Sequence, residues 1–337
     1  MRGRGITYDT GFFHAGVSTR ELFDPDVVQR EMRIIHDELH CNAVRVTGGD
    51  ADRLDIAAQH AADAGLEVWF CPFTCDLTTD ELLVFIANSA ERAERLRRDG
   101  AELVFLTGSE LSLFTRGFVP GETLDERLAV FNHPDRMRAI LPQVPTRINA
   151  FLGHAVGLAR TRSGGKVTYA SLPFENVDWT PFDFVATDAG YRSVEVADRF
   201  RDGIRALVGH GKPVAITEFG CCTYRGAADR GGRGDQIIVW NGPRPVRLDG
   251  NYTRDELEQA RYICELLGIF EAEGVDSAFV NTFARYDLPH CTDPSVDPDL
   301  ASYGVVKVLE APLPGAYPGM PWAPKAAFAA LADYYHG

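Results

Sequence analysis

Eight short apolar runs recur along this chain of 337 residues, and nearly every one is followed by a segment with helical spacing. The runs lie in GITYDTGFF, NAVRVTGG, LEVWFCPF, AELVFLTGSE, KVTYASLP, FDFVATDAG, PVAITEFG and DSAFVNTFA. Pieces such as LVFL and AFV do not alternate apolar with polar, as expected of parallel strands buried on both faces. After the first run, Val28, Met32, Ile35 and Leu39 recur at helical spacing. Asp24 is placed as their N-cap, with Pro25 at the first helical position. Gly65 is placed to stop the second helix, and Thr253 with Glu256 reads as a capping box opening the seventh. FENVDWTP, after the fifth run, is too short for a full helix. This count predicts a (β/α)8 TIM barrel of α/β class, one domain over residues 1–337, with the first strand beside the eighth. An open doubly wound sheet would carry a glycine-rich phosphate loop after its first strand, and DTGFFHAG has none.

Composition excludes several partners. The net charge of −14 argues against nucleic acid and against an anionic membrane surface, which need clustered Lys and Arg. No stretch of about 18 apolar residues predicts a membrane span, and MRGRGITYDTGFF has neither the apolar core nor the cleavage site of a signal peptide. Seven cysteines, an odd number, point to reduced thiols in a cytoplasmic protein. Cys71 and Cys75 span FCPFTC, which lacks the second ligand pair a zinc site needs, so neither metal nor cofactor is expected. Cys221 and Cys222 have no base close in sequence, as a catalytic thiol requires. The oligomeric state is left open.

In a barrel, chemistry gathers where the strands end. There the chain places Asp9 and His14, Arg45, Ser109 and Glu110, Glu175, Asp188 and Tyr191, Glu218, then Asn281 and Arg285. Glu110 and Glu218 stand out because each directly follows a run of buried strand residues. Two carboxyls in different surroundings can divide acid and base work. The segments 111–134 and about 221–252 follow these two strands, are long for such connections, and are expected to wall the pocket. Trp179 and Trp240 lie in connections read as top-face and are the better candidates for sugar platforms.

Glutamates ending strands four and seven of a (β/α)8 barrel resemble the clan A retaining glycoside hydrolases. The resemblance implies that Glu110, in LTGSE, is the acid/base and that Glu218, in AITEFG, is the nucleophile. It implies that Arg45 supports the nucleophile and keeps it ionised, that Tyr191 hydrogen-bonds it, and that Glu110 sits in drier surroundings. Two positions depart from the family. Ser109 stands where the family has an Asn holding the sugar 2-hydroxyl, and Phe283 is the one aromatic in VNTFAR, the end of strand eight, where the family has a Trp. Asp9, Arg45, Ser109, Asp188, Tyr191, Asn281 and Phe283 form the expected substrate-binding set, with Asp9 and Asp188 binding hydroxyls or pairing with Arg45. The expected substrate is a carbohydrate or a glycosylated small molecule. The alternatives are acid/base chemistry on a non-sugar small molecule of specialised metabolism, and a barrel that binds carbohydrate without turning it over.

Overall fold

A computed structural model describes residues 1–310 and 317–337. Eight parallel strands form one sheet: β1 (Gly3–Asp9), β2 (Ala43–Gly48), β3 (Glu67–Pro72), β4 (Leu103–Ser109), β5 (Lys166–Ala170), β6 (Val185–Thr187), β7 (Val214–Phe219) and β8 (Ser277–Val280). Their hydrogen-bonded order is β5-β4-β3-β2-β1-β8-β7-β6. β1 pairs in parallel with β8, Gly3 against Ser277, as the barrel reading expected. The ring closes just past β5, where Ser171 bridges Thr187 and the Asp188 amide donates to the Ser171 carbonyl at 3.0 Å. This is a (β/α)8 barrel.

The outer layer comprises α1 (Pro25–Asp37), α2 (Ala51–Asp63), α3 (Thr79–Arg98), α4 (Val144–Arg160), α5 (Ala197–Val208), α6 (Glu256–Ala272) and α7 (Ala326–His336). Asp24 caps α1 by accepting from the Asp26 amide at 2.9 Å. After β5 there is a single 3-10 turn, Pro173–Glu175, in place of a helix. The start of α6 differs from expectation. Asp255 is its cap, accepting from the Glu258 amide at 2.9 Å. Glu256 is drawn instead to Arg254 and Lys307 and accepts from the Ala326 amide at 3.0 Å, which ties α6 to the start of α7. The two long connections are structured. Segment 111–134 holds short helices at Leu111–Phe114 and Leu124–Phe131. Segment 221–252 holds a helical stretch and the hairpin Ile238–Asn241/Arg244–Leu248.

Strand side chains alternate between faces, so the barrel has two cores. Between strands and helices lies a large aliphatic layer. Inside the barrel, Trp69 packs on Phe184 and Phe279 at centroid distances of 4.9 and 4.8 Å, with Ala43, Ala170, Ala186 and Ala215 making room for the three rings. Arg45 and Asp188, two residues beyond Ala43 and Ala186, extend the same inward rows.

Two bulges re-aim the ends of β4 and β7. Leu106 pairs with Thr168 and Ser109 with Ala170, so β4 carries one residue more than β5. Ala278 pairs with Ile216 and Val280 with Phe219, so β7 carries one more than β8. Strict alternation would send Ser109 and Glu218 outward with Phe105 and Ile216, and the extra residue turns each inward. Gly108 takes φ +138° at the first bulge, where a Cβ would lie 2.8 Å from the Leu111 side chain.

Trp69→Ala empties the central aromatic layer. It is expected to cost about 3–5 kcal/mol in urea denaturation. A loss under about 1 kcal/mol contradicts this packing.

Candidate active site

Arg45 organises the barrel mouth. Its guanidinium is fully buried, and its Nη1 donates to Asp188 Oδ1 at 3.0 Å, to the Thr217 carbonyl at 3.0 Å and to Glu218 Oε1 at 2.9 Å. Nη2 reaches Cys71 Sγ at 3.6 Å. The β7 bulge makes the Thr217 carbonyl available to it. Ser109, turned inward by the β4 bulge, donates to Asp188 Oδ2 at 2.6 Å. Thus β2, β4, β6 and β7 are joined through one guanidinium and one carboxylate.

Glu218 is held at both oxygens. Arg45 takes Oε1, while the Tyr191 hydroxyl and Asn281 Nδ2 each lie 3.3 Å from Oε2. Asn281 also donates to Tyr191 at 2.8 Å. Burial, then the Glu218 charge, push the Tyr191 phenol well up, so it stays protonated as a donor. Gly190 permits the close approach of the β6 loop. Its amide donates to the Glu218 carbonyl at 3.1 Å, and a Cβ there would meet that oxygen at 2.5 Å. The Asp188 side chain is 0% exposed and Glu218 17%, so Glu218 is the member of this pair that a ligand can reach.

Glu110 ends β4 on the other side of the mouth, partly buried, in a left-handed conformation at φ +47°. Burial first, then the charges of Asp188, Glu218 and Glu175, push its carboxyl well above the ordinary range, and Arg45 opposes them. Glu218 is pushed up to about 7, by burial first and Asp188 second, with Arg45 again opposing. Arg45 does lie against Glu218 as expected. It divides its charge with Asp188, however, so it limits the rise of Glu218 without holding it in the usual carboxylate range.

The other anticipated residues divide. Asp188 pairs with Arg45 and Ser109, and is committed to them at both oxygens. Asp9 accepts from the Gly11 amide at 2.8 Å and from the Thr19 hydroxyl, closing its own turn. Phe283 is 0% exposed, between Tyr8 and Trp322 at 6.1 and 5.3 Å, so it offers no ring face to the mouth. Trp179 lies at the opposite end of the barrel, where Lys212, leading into β7, donates to its carbonyl at 2.7 Å. Trp240 is 41% exposed on the hairpin. The Cys222 thiol is buried and pushed well up by desolvation, as is Cys221, which leaves both unreactive as nucleophiles. Among the described residues, no group of three or more His, Cys, Asp or Glu is placed to hold a metal ion.

Two features escaped the sequence reading, and one strand-end candidate, Glu175, takes a place it did not foresee. Tyr303 packs on Tyr191 at 5.6 Å and bonds Gly231 and Gly234 at 2.9 Å each, which fastens segment 221–252 beside the site. Phe12, Phe73 and Phe114, from the turns after β1, β3 and β4, touch one another at 4.8–5.3 Å. Glu175 is buried behind the turn that follows Glu110. Each joins residues far apart in sequence, with no local pattern to mark them.

No family model matches this chain, and no curated protein matches its sequence. Solved structures do. One is a GH113 β-1,4-mannanase, at TM-score 0.64 and 16% identity, over 100% of both chains. A second is the GH113 β-mannanase of Alicyclobacillus acidocaldarius, at TM-score 0.59 and 18% identity, over 99% of this chain and 97% of that one. A third is the β-glucuronidase of Parabacteroides merdae, at TM-score 0.60 and 16% identity, over 99% of this chain and 37% of that one. The likeness is one of fold.

A carboxyl that titrates near 7 rather than at its ordinary 4.5 binds a proton more tightly folded than unfolded. Its contribution therefore weakens the fold as pH rises from 4.5 to about 7. In urea denaturation from about pH 5 to about pH 8, Glu218→Gln is expected to lose less stability with rising pH than the parent. An equal or steeper loss contradicts the raised titration.

Proposed function

We propose that this chain is a retaining glycoside hydrolase with Glu218 as nucleophile and Glu110 as acid/base, acting on a carbohydrate or a glycosylated small molecule. The observation that carries the reading is the unequal treatment of the two carboxyls. Glu218 is fixed at both oxygens by Arg45, Tyr191 and Asn281. Glu110 is pushed further towards its protonated form, by burial first and then by the charges of Asp188, Glu218 and Glu175. Two such carboxyls flanking a glycosidic bond divide the work of retaining hydrolysis.

In the first step, a Glu218 oxygen forms a bond to the anomeric carbon. The bond to the leaving oxygen breaks, and Glu110 gives that oxygen its proton. Glu110, now a carboxylate, then takes a proton from water. The water oxygen bonds to the same carbon, which releases Glu218 and restores Glu110. Arg45 stabilises Glu218 while it carries charge. Tyr191 and Asn281 keep its Oε2 oriented. The fold neighbours that are mannanases and a glucuronidase support sugar chemistry as a class.

A second reading keeps the same carboxyls for acid/base chemistry on a non-sugar small molecule. It is favoured by Ser109, whose hydroxyl is committed to Asp188 and is not free to hold a sugar hydroxyl.

The test is a screen of aryl glycosides for aryl release. Glu218→Gln is expected to lose roughly a thousandfold or more in turnover with the fold intact by circular dichroism. Glu110→Gln is expected to lose roughly 10²–10⁴-fold on poor leaving groups and much less on activated ones, which need no proton. No release from any common sugar overturns the glycosidase reading in favour of the second.

A further inference from the structure

We infer that Glu175 is the positioning residue for Glu110: together with Tyr169 it anchors the turn that carries the Glu110 carboxyl. The inference rests on reading Glu110 as the acid/base. Glu175 is fully buried in the short turn after β5. Its Oε1 accepts from the Ser112 amide at 3.1 Å and from the Tyr169 hydroxyl at 2.8 Å. Its Oε2 accepts from the Leu172 amide at 2.9 Å. The Tyr169 hydroxyl in turn accepts from the Leu111 amide at 2.8 Å. The amides of both residues that follow Glu110 are thus held from β5 and its turn, and the Glu110 amide donates to the Ala170 carbonyl at 2.9 Å. Three consecutive anchors are what a left-handed glutamate needs, because a residue with a Cβ does not keep that conformation unless its surroundings impose it.

The partners of Glu175 are all neutral donors. Among the described residues no cation pairs with Glu175, and its charge is one of those that raise the Glu110 carboxyl. The groups acting on Glu110 are Asp188 from β6, Glu218 from β7 and Glu175, all of which raise it, and Arg45 from β2, which opposes them. The phenols of Tyr169 and Tyr191 face the same carboxyl.

Glu175→Gln keeps the size and one acceptor and removes the charge. In protein labelled with 13C at the glutamate carboxyls, with the Glu110 resonance assigned by its absence in Glu110→Gln, the Glu110 midpoint is expected to move down in Glu175→Gln. On an aryl glycoside that the parent hydrolyses, kcat should fall about tenfold or more for poor leaving groups and little for activated ones, with KM nearly unchanged. A folded Glu175→Gln with an unmoved Glu110 midpoint overturns the inference. If that variant does not fold, Tyr169→Phe carries the test. Amide exchange at Leu111 should quicken about tenfold or more, and unchanged exchange overturns the inference. The carboxyl titration needs no turnover. If the parent hydrolyses no glycoside and the midpoint still moves, the glycosidase reading fails while the role of Glu175 stands.

Discussion

The site depends on a buried arginine that has more anionic neighbours than charge. A guanidinium without water must find carboxylates or carbonyls, and removing one partner of such a group strands the others. Arg45 finds Asp188, Glu218 and the Thr217 carbonyl at once. Because these lie on three different strands, satisfying one charge fixes the relative positions of β2, β6 and β7. Ser109 extends the constraint to β4 through Asp188. Burial raises both glutamates, but Glu218 touches the shared guanidinium directly while Glu110 does not bond it, so two identical side chains acquire different acidities.

The barrel alone does not aim these groups. Its alternation supplies Arg45 and Asp188 to the interior without further help. The glutamate strands need an added residue each, and they have one at Thr107–Gly108 and one at Thr217–Glu218. The aromatic layer of Trp69, Phe184 and Phe279 lies beneath, so the charged layer rests on close-packed rings that exclude water from below.

Much of this was legible from residue order. Eight apolar runs with helical spacers, and no phosphate loop, specify a closed parallel barrel. A carboxyl directly after a buried run marks Glu110 and Glu218, because burial of an acid there is expensive. Arg45 and Tyr191 were placed beside Glu218 by resemblance, and both lie against it. What was not legible has a common cause: contacts made across the barrel leave no local pattern. Period-two reading cannot locate a bulge, so it could not tell that Ser109 turns to Asp188. It assigned Phe283 to the mouth, but Tyr8 and Trp322 close over that ring. Trp179 was read as top-face because its connection follows a strand end, yet that connection runs back to the opposite end before β6 begins. Glu256 matched a capping box by spacing, while cations brought near by the fold, Arg254 and Lys307, drew it away.

The division of labour between the two glutamates shows in the order in which they release their protons. It can be read by 13C carboxyl resonances across pH in the intact protein, assigned with the two single Gln variants. Because the two groups interact, the midpoints belong to the pair, and the order is the informative quantity. Glu218 is expected to ionise first, with Glu110 holding its proton to higher pH. Glu110 ionising first, or both titrating together in the ordinary carboxylate range, would contradict that division of labour.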